Sequence, residues 1–213
     1  MLPPDAPGRP DGPGPCAGPH VGIEFPAEAD RDLLTQIHAV VGAVVARGGA
    51  VGWLSPPPRA ETDAWVTSVV AGAATGESAL CVARVDGVVA ATGTWHRDQA
   101  PVFRHRAEIR KIMVHPSSRG LGLGRRVTGA VADHARAAGI ETVHLGVRGN
   151  NHLAIAIYRG LGFTEWGRFP NVIEVGDLRF DEVRMYLRFP TATDVVNRGS
   201  QQVGPGSSPA PVG

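Results

Sequence analysis

The residues best suited to chemistry lie in one run. Ile112, Met113 and Val114 lead through His115-Pro116-Ser117-Ser118 into Arg119-Gly120-Leu121-Gly122-Leu123-Gly124. A strand-like stretch therefore passes into a glycine-rich turn and then into a helical pattern. Glycine lets the backbone turn, and lets a ligand come close, where a Cβ would collide. The first N–H groups of a helix have no partner within it, and the helix dipole adds partial positive charge there. Together they form a site for phosphate groups. Arg125 and Arg126 fall in the first turn of that helix, where cations oppose the dipole; a bound polyanion would offset them. A Walker A loop would need Gly-Lys followed by Ser or Thr, and a dinucleotide fingerprint would need Gly-x-Gly-x-x-Gly early in a βαβ unit with an acid further on. The run here fits neither, since its glycines are spaced Gly120-x-Gly122-x-Gly124 late in the chain.

The elements that must position this loop follow from periodicity. Residues 21–25 read as a short strand. Residues 30–47 carry an apolar stripe at helical spacing through Leu33, Leu34, Ile37, Val40, Val41, Val44 and Val45. Prolines 56–58 interrupt, and residues 60–74 resume a helical pattern. Two β-branched runs, 79–85 and 88–96, flank Asp86-Gly87, a strong hairpin signal. Residues 106–115 form a third strand of that group. A helix over 122–138 is closed by Gly139, followed by a strand at 142–147, a helix at 151–159, and strands near 163–169 and 179–189. The order predicts an α/β (α+β) fold with a mixed sheet flanked by helices.

Composition bounds the rest. The 213 residues are 43% apolar and 19% charged with a formal net charge of +1, which suits a globular domain and points to neither a nucleic-acid nor a membrane partner. The apolar run at 39–46 is far shorter than the roughly 20 residues of a membrane span. The two cysteines, Cys16 and Cys81, form no framework, and with no apolar leader segment the expected location is the cytoplasm. The eight histidines show no metal-binding spacing, so no metal is expected. Residues 1–20 and 191–213 are rich in Pro, Gly and Ser and are expected to be disordered tails around a domain of residues 21–190.

The loop Arg119-Gly120-Leu121-Gly122-Leu123-Gly124 resembles the pyrophosphate-binding motif of the GNAT N-acetyltransferases, Gln/Arg-x-x-Gly-x-Gly/Ala. The stretch Asn151-His152-Leu153-Ala154-Ile155-Ala156-Ile157-Tyr158-Arg159-Gly160-Leu161-Gly162-Phe163 resembles that family's second signature, in the family's order and at its separation. The resemblance implies the GNAT-like acyl-CoA N-acyltransferase fold, with a central, mostly antiparallel mixed sheet. It implies acetyl-CoA as co-substrate, held by Ile112, Met113, Val114, Arg119, Gly120, Leu121, Gly122, Leu123, Gly124, Arg125, Asn151 and Tyr158. It also implies attack by the primary amine of a small molecule directly on the thioester in a ternary complex, in a monomer or homodimer. The stretch 105–114 leading into the loop is similar to tabtoxin-resistance-type enzymes, which modify an amino-acid-like toxin. One departure stands out: after Val143-His144-Leu145 an acid is expected, and Gly146 stands there.

Glu108 is the resemblance's candidate base, acting directly or through water; equally, it alternates with Arg106 and Arg110 and could simply pair with them on one strand face. Tyr158 is the candidate acid for the leaving thiolate, or an aromatic that closes a helix onto the sheet. Asn151 is a coenzyme ligand, a helix N-cap, or both. Trp53 could line the acceptor pocket. The alternatives to small-molecule acetylation are a protein N-terminal or lysine acetyltransferase and a non-catalytic acyl-CoA-binding module.

Overall fold

The structure, a computed structural model, describes residues 18–190 apart from Ala50. Cys16 and the expected tails, except residues 18–20, lie outside the described residues.

The chain runs β1 (Val21–Glu24), α1 (Arg31–Val45), α2 (Arg59–Ala73), β2 (Ser78–Val85), β3 (Val88–Arg97), β4 (Arg106–Val114), α3 (Leu123–Ala137), β5 (Thr142–Arg148), α4 (His152–Gly160), β6 (Thr164–Val175) and β7 (Leu178–Arg188). The strands form one seven-stranded sheet in the order β1-β2-β3-β4-β5-β7-β6. Every adjacent pair is antiparallel except β4 and β5. The mixed sheet expected from the element order is therefore present.

Local chemistry accounts for the element ends. Asp30 caps α1 by accepting a hydrogen bond from Leu33 N at 2.7 Å. Asp86 and Gly87 both take positive φ, 49° and 84°, and join β2 to β3 in a two-residue turn. Alternation along the strands separates two cores. On one face Leu33, Ile37, Val40, Val41, Val44 and Val45 of α1 meet Leu80, Val82, Val89 and Met113. On the other, Val127 and Val131 of α3 and Ile155 of α4 pack on Trp95, Ile109, Val143, Leu145, Val183 and Met185.

One boundary needs correction. The strand expected at 163–169 continues to Val175. Pro170 makes an internal strand look broken, but β6 is at the sheet edge, where a missing N–H costs no ladder bond. The irregularity is absorbed between Phe169 and Ile173, with Asn171 at φ 55° and its N–H donating to Asp181 Oδ1 at 3.1 Å.

Candidate active site

The site begins at the single parallel pair. β4 and β5 share only the rungs Arg106↔Thr142, Ala107↔Val143 and Glu108↔His144. Beyond them β4 runs on to Val114 and β5 to Arg148 without pairing to each other. Main-chain donors and acceptors thus line a V-shaped opening, and such groups seek a partner.

The cause of the split lies within β4. Thr94 pairs with Arg110 and Thr92 with Met113, so Lys111 and Ile112 together oppose Gly93. Lys111 has φ 55°, and a bulge of this kind bends and twists its strand. A Cβ on Gly93 would lie 2.5 Å from Ile112 Cδ1 and 2.7 Å from Val127 Cγ1, so any side chain there would force both to shift. The hydroxyls of Thr92 and Thr94 donate to the carbonyls of Lys111 and Arg110 at 3.1 and 3.2 Å and hold the bulge. The Lys111 ammonium donates to Val51 O at 2.5 Å and lies 3.4 Å from the centre of the Trp53 ring. Burial pushes its pKa down to about 8. Trp53 also donates to Glu61 at 2.6 Å and meets the Trp65 ring edge-on, so its indole is occupied by the chain's own groups.

The glycine turn lies at the end of the opening. After a 3-10 turn at Pro116–Ser118, Gly120 and Gly122 take φ 85° and 70°, and Gly122 is the N-cap of α3. No side chain caps this helix, so its first amides are offered to the loop, as an anion site needs. Several of the expected cofactor residues use their side chains elsewhere. Leu123 and Met113 are buried in the core, and Ile112 and Val114 pack against it, so these residues can offer a ligand only main chain. Arg119 and Leu121 are exposed. The two helix-start arginines also have tasks that the sequence did not reveal. Arg125 donates to Gly160 O, at the end of α4, at 2.9 Å, and Arg126 to Val21 O at 3.2 Å. They tie α3 to its neighbours.

Across the opening, Asn151 caps α4, accepting from Ala154 N at 3.2 Å. Tyr158, two turns on, is 8% exposed, with its ring tilted against Phe163 at 5.9 Å. Burial pushes its hydroxyl up to about 12, so it carries its proton at neutral pH.

Glu108 is half-buried and bound by Arg110, whose Nε donates to it at 2.8 Å and whose Nη2 makes a second contact. The pairing that sequence alternation allowed is therefore present with Arg110. Arg106 instead binds Asp98, with Nε to Oδ2 at 2.9 Å. Register places Glu108 between two histidines that sequence reasoning missed: His96 on β3 and His144 on β5. Burial, and then Arg110, push the His96 pKa down to about 4. His144 Nε2 is buried without a hydrogen bond and lies 3.7 Å from Asp98 Oδ2. Alternation along each strand put these residues on a face, but only the strand order could bring them into one row. Among the described residues, no group of three or more His, Cys, Asp or Glu is placed to hold a metal ion.

A sheet that opens along its one parallel pair onto an uncapped helix start defines the acyltransferase class of fold. The model of the Acetyltransferase (GNAT) family matches residues 48–163, more than half of the chain, and the chain belongs to that family. Solved structures of similar fold include yncA of Salmonella typhimurium with its cofactor acetyl-CoA (TM-score 0.68, 23% identity, 79% of this chain and 93% of that one). A phosphinothricin acetyltransferase from Sinorhizobium meliloti in complex with AcCoA is comparable (TM-score 0.68, 20% identity, 79% and 88%). Among curated relatives, the L-methionine sulfoximine/L-methionine sulfone acetyltransferase of Salmonella typhimurium LT2 is 32% identical over 113 residues, which are 50% of this chain and 64% of that protein. A mycothiol acetyltransferase of Nocardiopsis dassonvillei is 38% identical over 94 residues, 41% of this chain and 27% of that protein. The chain thus spans less than two thirds of either relative.

Proposed function

We propose that the chain is an acetyl-CoA-dependent N-acetyltransferase that acts on the primary amine of a small, amino-acid-like molecule. The observation that carries this reading is the opening between β4 and β5, aligned with the uncapped start of α3. Bound acetyl-CoA supplies the activated thioester. The amides of residues 120–124 receive its pyrophosphate, and the edge of β4 at Ile112, Met113 and Val114 that is not paired with β5 receives the arm that carries the thioester. An amide near Val114 donates to the carbonyl oxygen as negative charge develops on it. The acceptor nitrogen attacks the carbonyl carbon, and its proton leaves to Glu108, directly or through water. Arg110, bonded to that carboxylate, holds it in place. The carbon–sulfur bond breaks as the Tyr158 hydroxyl donates its proton to the sulfur. A phenol held protonated by burial suits that role. Relatives named as an L-methionine sulfoximine/L-methionine sulfone acetyltransferase and an L-amino acid N-acyltransferase favour this acceptor class.

The test has two parts. Millimolar acetyl-CoA is expected to raise the melting temperature, since a ligand selective for the folded state stabilises it. A thiol-release assay over amino acids, methionine sulfone, simple amines and peptides is expected to show turnover on an amino-acid-like member. Absence of both a thermal shift and calorimetric binding overturns the acetyl-CoA reading. Turnover of peptides alone replaces the small-molecule acceptor with a protein one.

A further inference from the structure

Position 146, where the family resemblance leads one to expect an acid, lies on the open face of the sheet. β5 leaves β4 after His144, so Gly146 is the next residue on that face beyond the last shared rung. On its other side β5 remains paired with β7, with Gly146 opposite Arg184 and Arg148 opposite Glu182. Val183, Met185 and Leu187 of β7 face the α3–α4 core; Glu182 and Arg184 alternate with them and face the side that carries Glu108 and His144. Glu182 extends over the bare backbone of Gly146. A Cβ built on Gly146 would lie 2.8 Å from Glu182 Cδ and closer still to Oε1. The carboxylate therefore fills the space that a side chain at 146 would take.

We propose that Glu182 is the second carboxylate of the acceptor site. It holds the acceptor's ammonium from the β7 side of the opening, across from Glu108, and the lack of a side chain at Gly146 admits it. This assignment rests on the acetyl-transfer reading above. An ammonium group carries several N–H donors, and Glu108 already spends acceptor capacity on Arg110. Asp98 is likewise taken by Arg106. Glu182 is less committed. It touches Arg184 Nε at 2.8 Å, yet that nitrogen is buried without a hydrogen bond, so the contact is one of charge without alignment. A poorly aligned ion pair gives up its carboxylate to a better donor at small cost. The same face carries Arg110, Arg148 and Arg184, which suit the carboxylate of a zwitterionic acceptor. The site so assembled fits an α-amino acid or a close analogue, with its ammonium between Glu108 and Glu182.

The experiment uses the full chain, acetyl-CoA, and a probe panel of the common amino acids with L-methionine sulfone and L-methionine sulfoximine. The fastest member serves for the variants. Glu182→Gln is expected to raise the KM for that acceptor by about tenfold or more, as for a lost charge-assisted hydrogen bond. The KM for acetyl-CoA and the melting temperature should stay near wild type. Gly146→Ala should act in the same direction without unfolding the protein, because the displaced group is the far end of a flexible side chain. Combining Glu182→Ala with Gly146→Asp returns a carboxylate to the same volume from β5, and is expected to recover acceptor affinity relative to Glu182→Ala alone. Wild-type turnover with an unchanged acceptor KM in Glu182→Gln overturns the assignment while leaving the acetyltransferase reading intact. Wild-type binding of acetyl-CoA with no panel member acetylated overturns the acceptor class and the assignment together. Loss of acetyl-CoA binding in Glu182→Gln would show a structural role and also overturns it.

Discussion

At the residue scale, Tyr158 divides a catalytic from a packing role most cleanly. Its ring packs on Phe163 within the core, and its hydroxyl holds its proton. Tyr158→Phe keeps the ring, so a packing role predicts a loss of about 1 kcal/mol or less and little change in turnover. The proton-donor role predicts that kcat falls by roughly 100-fold, the lower end for general acid catalysis, with acetyl-CoA affinity unchanged. Steady-state kinetics with melting temperatures separate the two. His96 gives a prediction in pH. Burial holds its folded pKa at about 4, below the ordinary histidine value of 6.5. Well above pH 6.5 this histidine is neutral in both folded and unfolded forms and contributes no pH dependence. As pH falls from 6.5 toward 4 the unfolded chain gains the proton first, so stability drops by at most about 1.4 kcal/mol per pH unit, then levels off. Solvent reaching the partly buried ring reduces that slope. Denaturant melts across this range should show a shallower decline in His96→Gln; equal slopes would remove His96 as the cause.

At the scale of the element, the glycine turn and the bulge do different work. Gly122 holds φ 70° with no atom near a built Cβ, so its demand is conformational and its surroundings are open. Gly122→Asp brings a side chain and a negative charge to the proposed phosphate position. The expected result is a near-normal circular dichroism spectrum and acetyl-CoA affinity reduced by tenfold or more, about 1.4 kcal/mol. Affinity within about threefold of wild type would move the pyrophosphate away from this loop. The bulge makes the opposite demand. Gly93 is crowded by Ile112 and Val127, so a side chain there would press on the bulge itself. The helical stripe of α1 and the Asp86-Gly87 turn were readable because local sequence decides them. The bulge was not, because Thr92, Gly93, Thr94 and Lys111 meet only across two strands.

At the scale of the whole molecule, we propose that residues 18–190 hold all that folding and acetyl-CoA binding require. His20 already joins the sheet's edge: its N–H donates to Asp86 Oδ1 at 2.9 Å, and its carbonyl accepts from Asp86 N at 2.9 Å. The Pro- and Gly-rich composition outside these bounds offers little apolar surface for a core. A chain trimmed to residues 18–190 is expected to match the full chain in melting temperature and in acetyl-CoA affinity by calorimetry. A drop of several degrees would show that a terminal segment docks on the domain.

By itself the sequence determined the elements, their order, the hairpin, the glycine turn at the head of α3 and the family likeness. Each of these is written in residues close together along the chain: a 3.6-residue or two-residue period, a turn dipeptide, a motif of contiguous positions. Tertiary structure decided what distant residues do to each other. It set Glu108 between His96 and His144, turned Arg125 toward the end of α4, and laid Glu182 over Gly146. Nothing local to Gly146 marks it as a space reserved for a carboxylate 36 residues away in the numbering. Only the pairing of β5 with β7 brings the two together, because strand register depends on the packing of the whole sheet rather than on either strand alone.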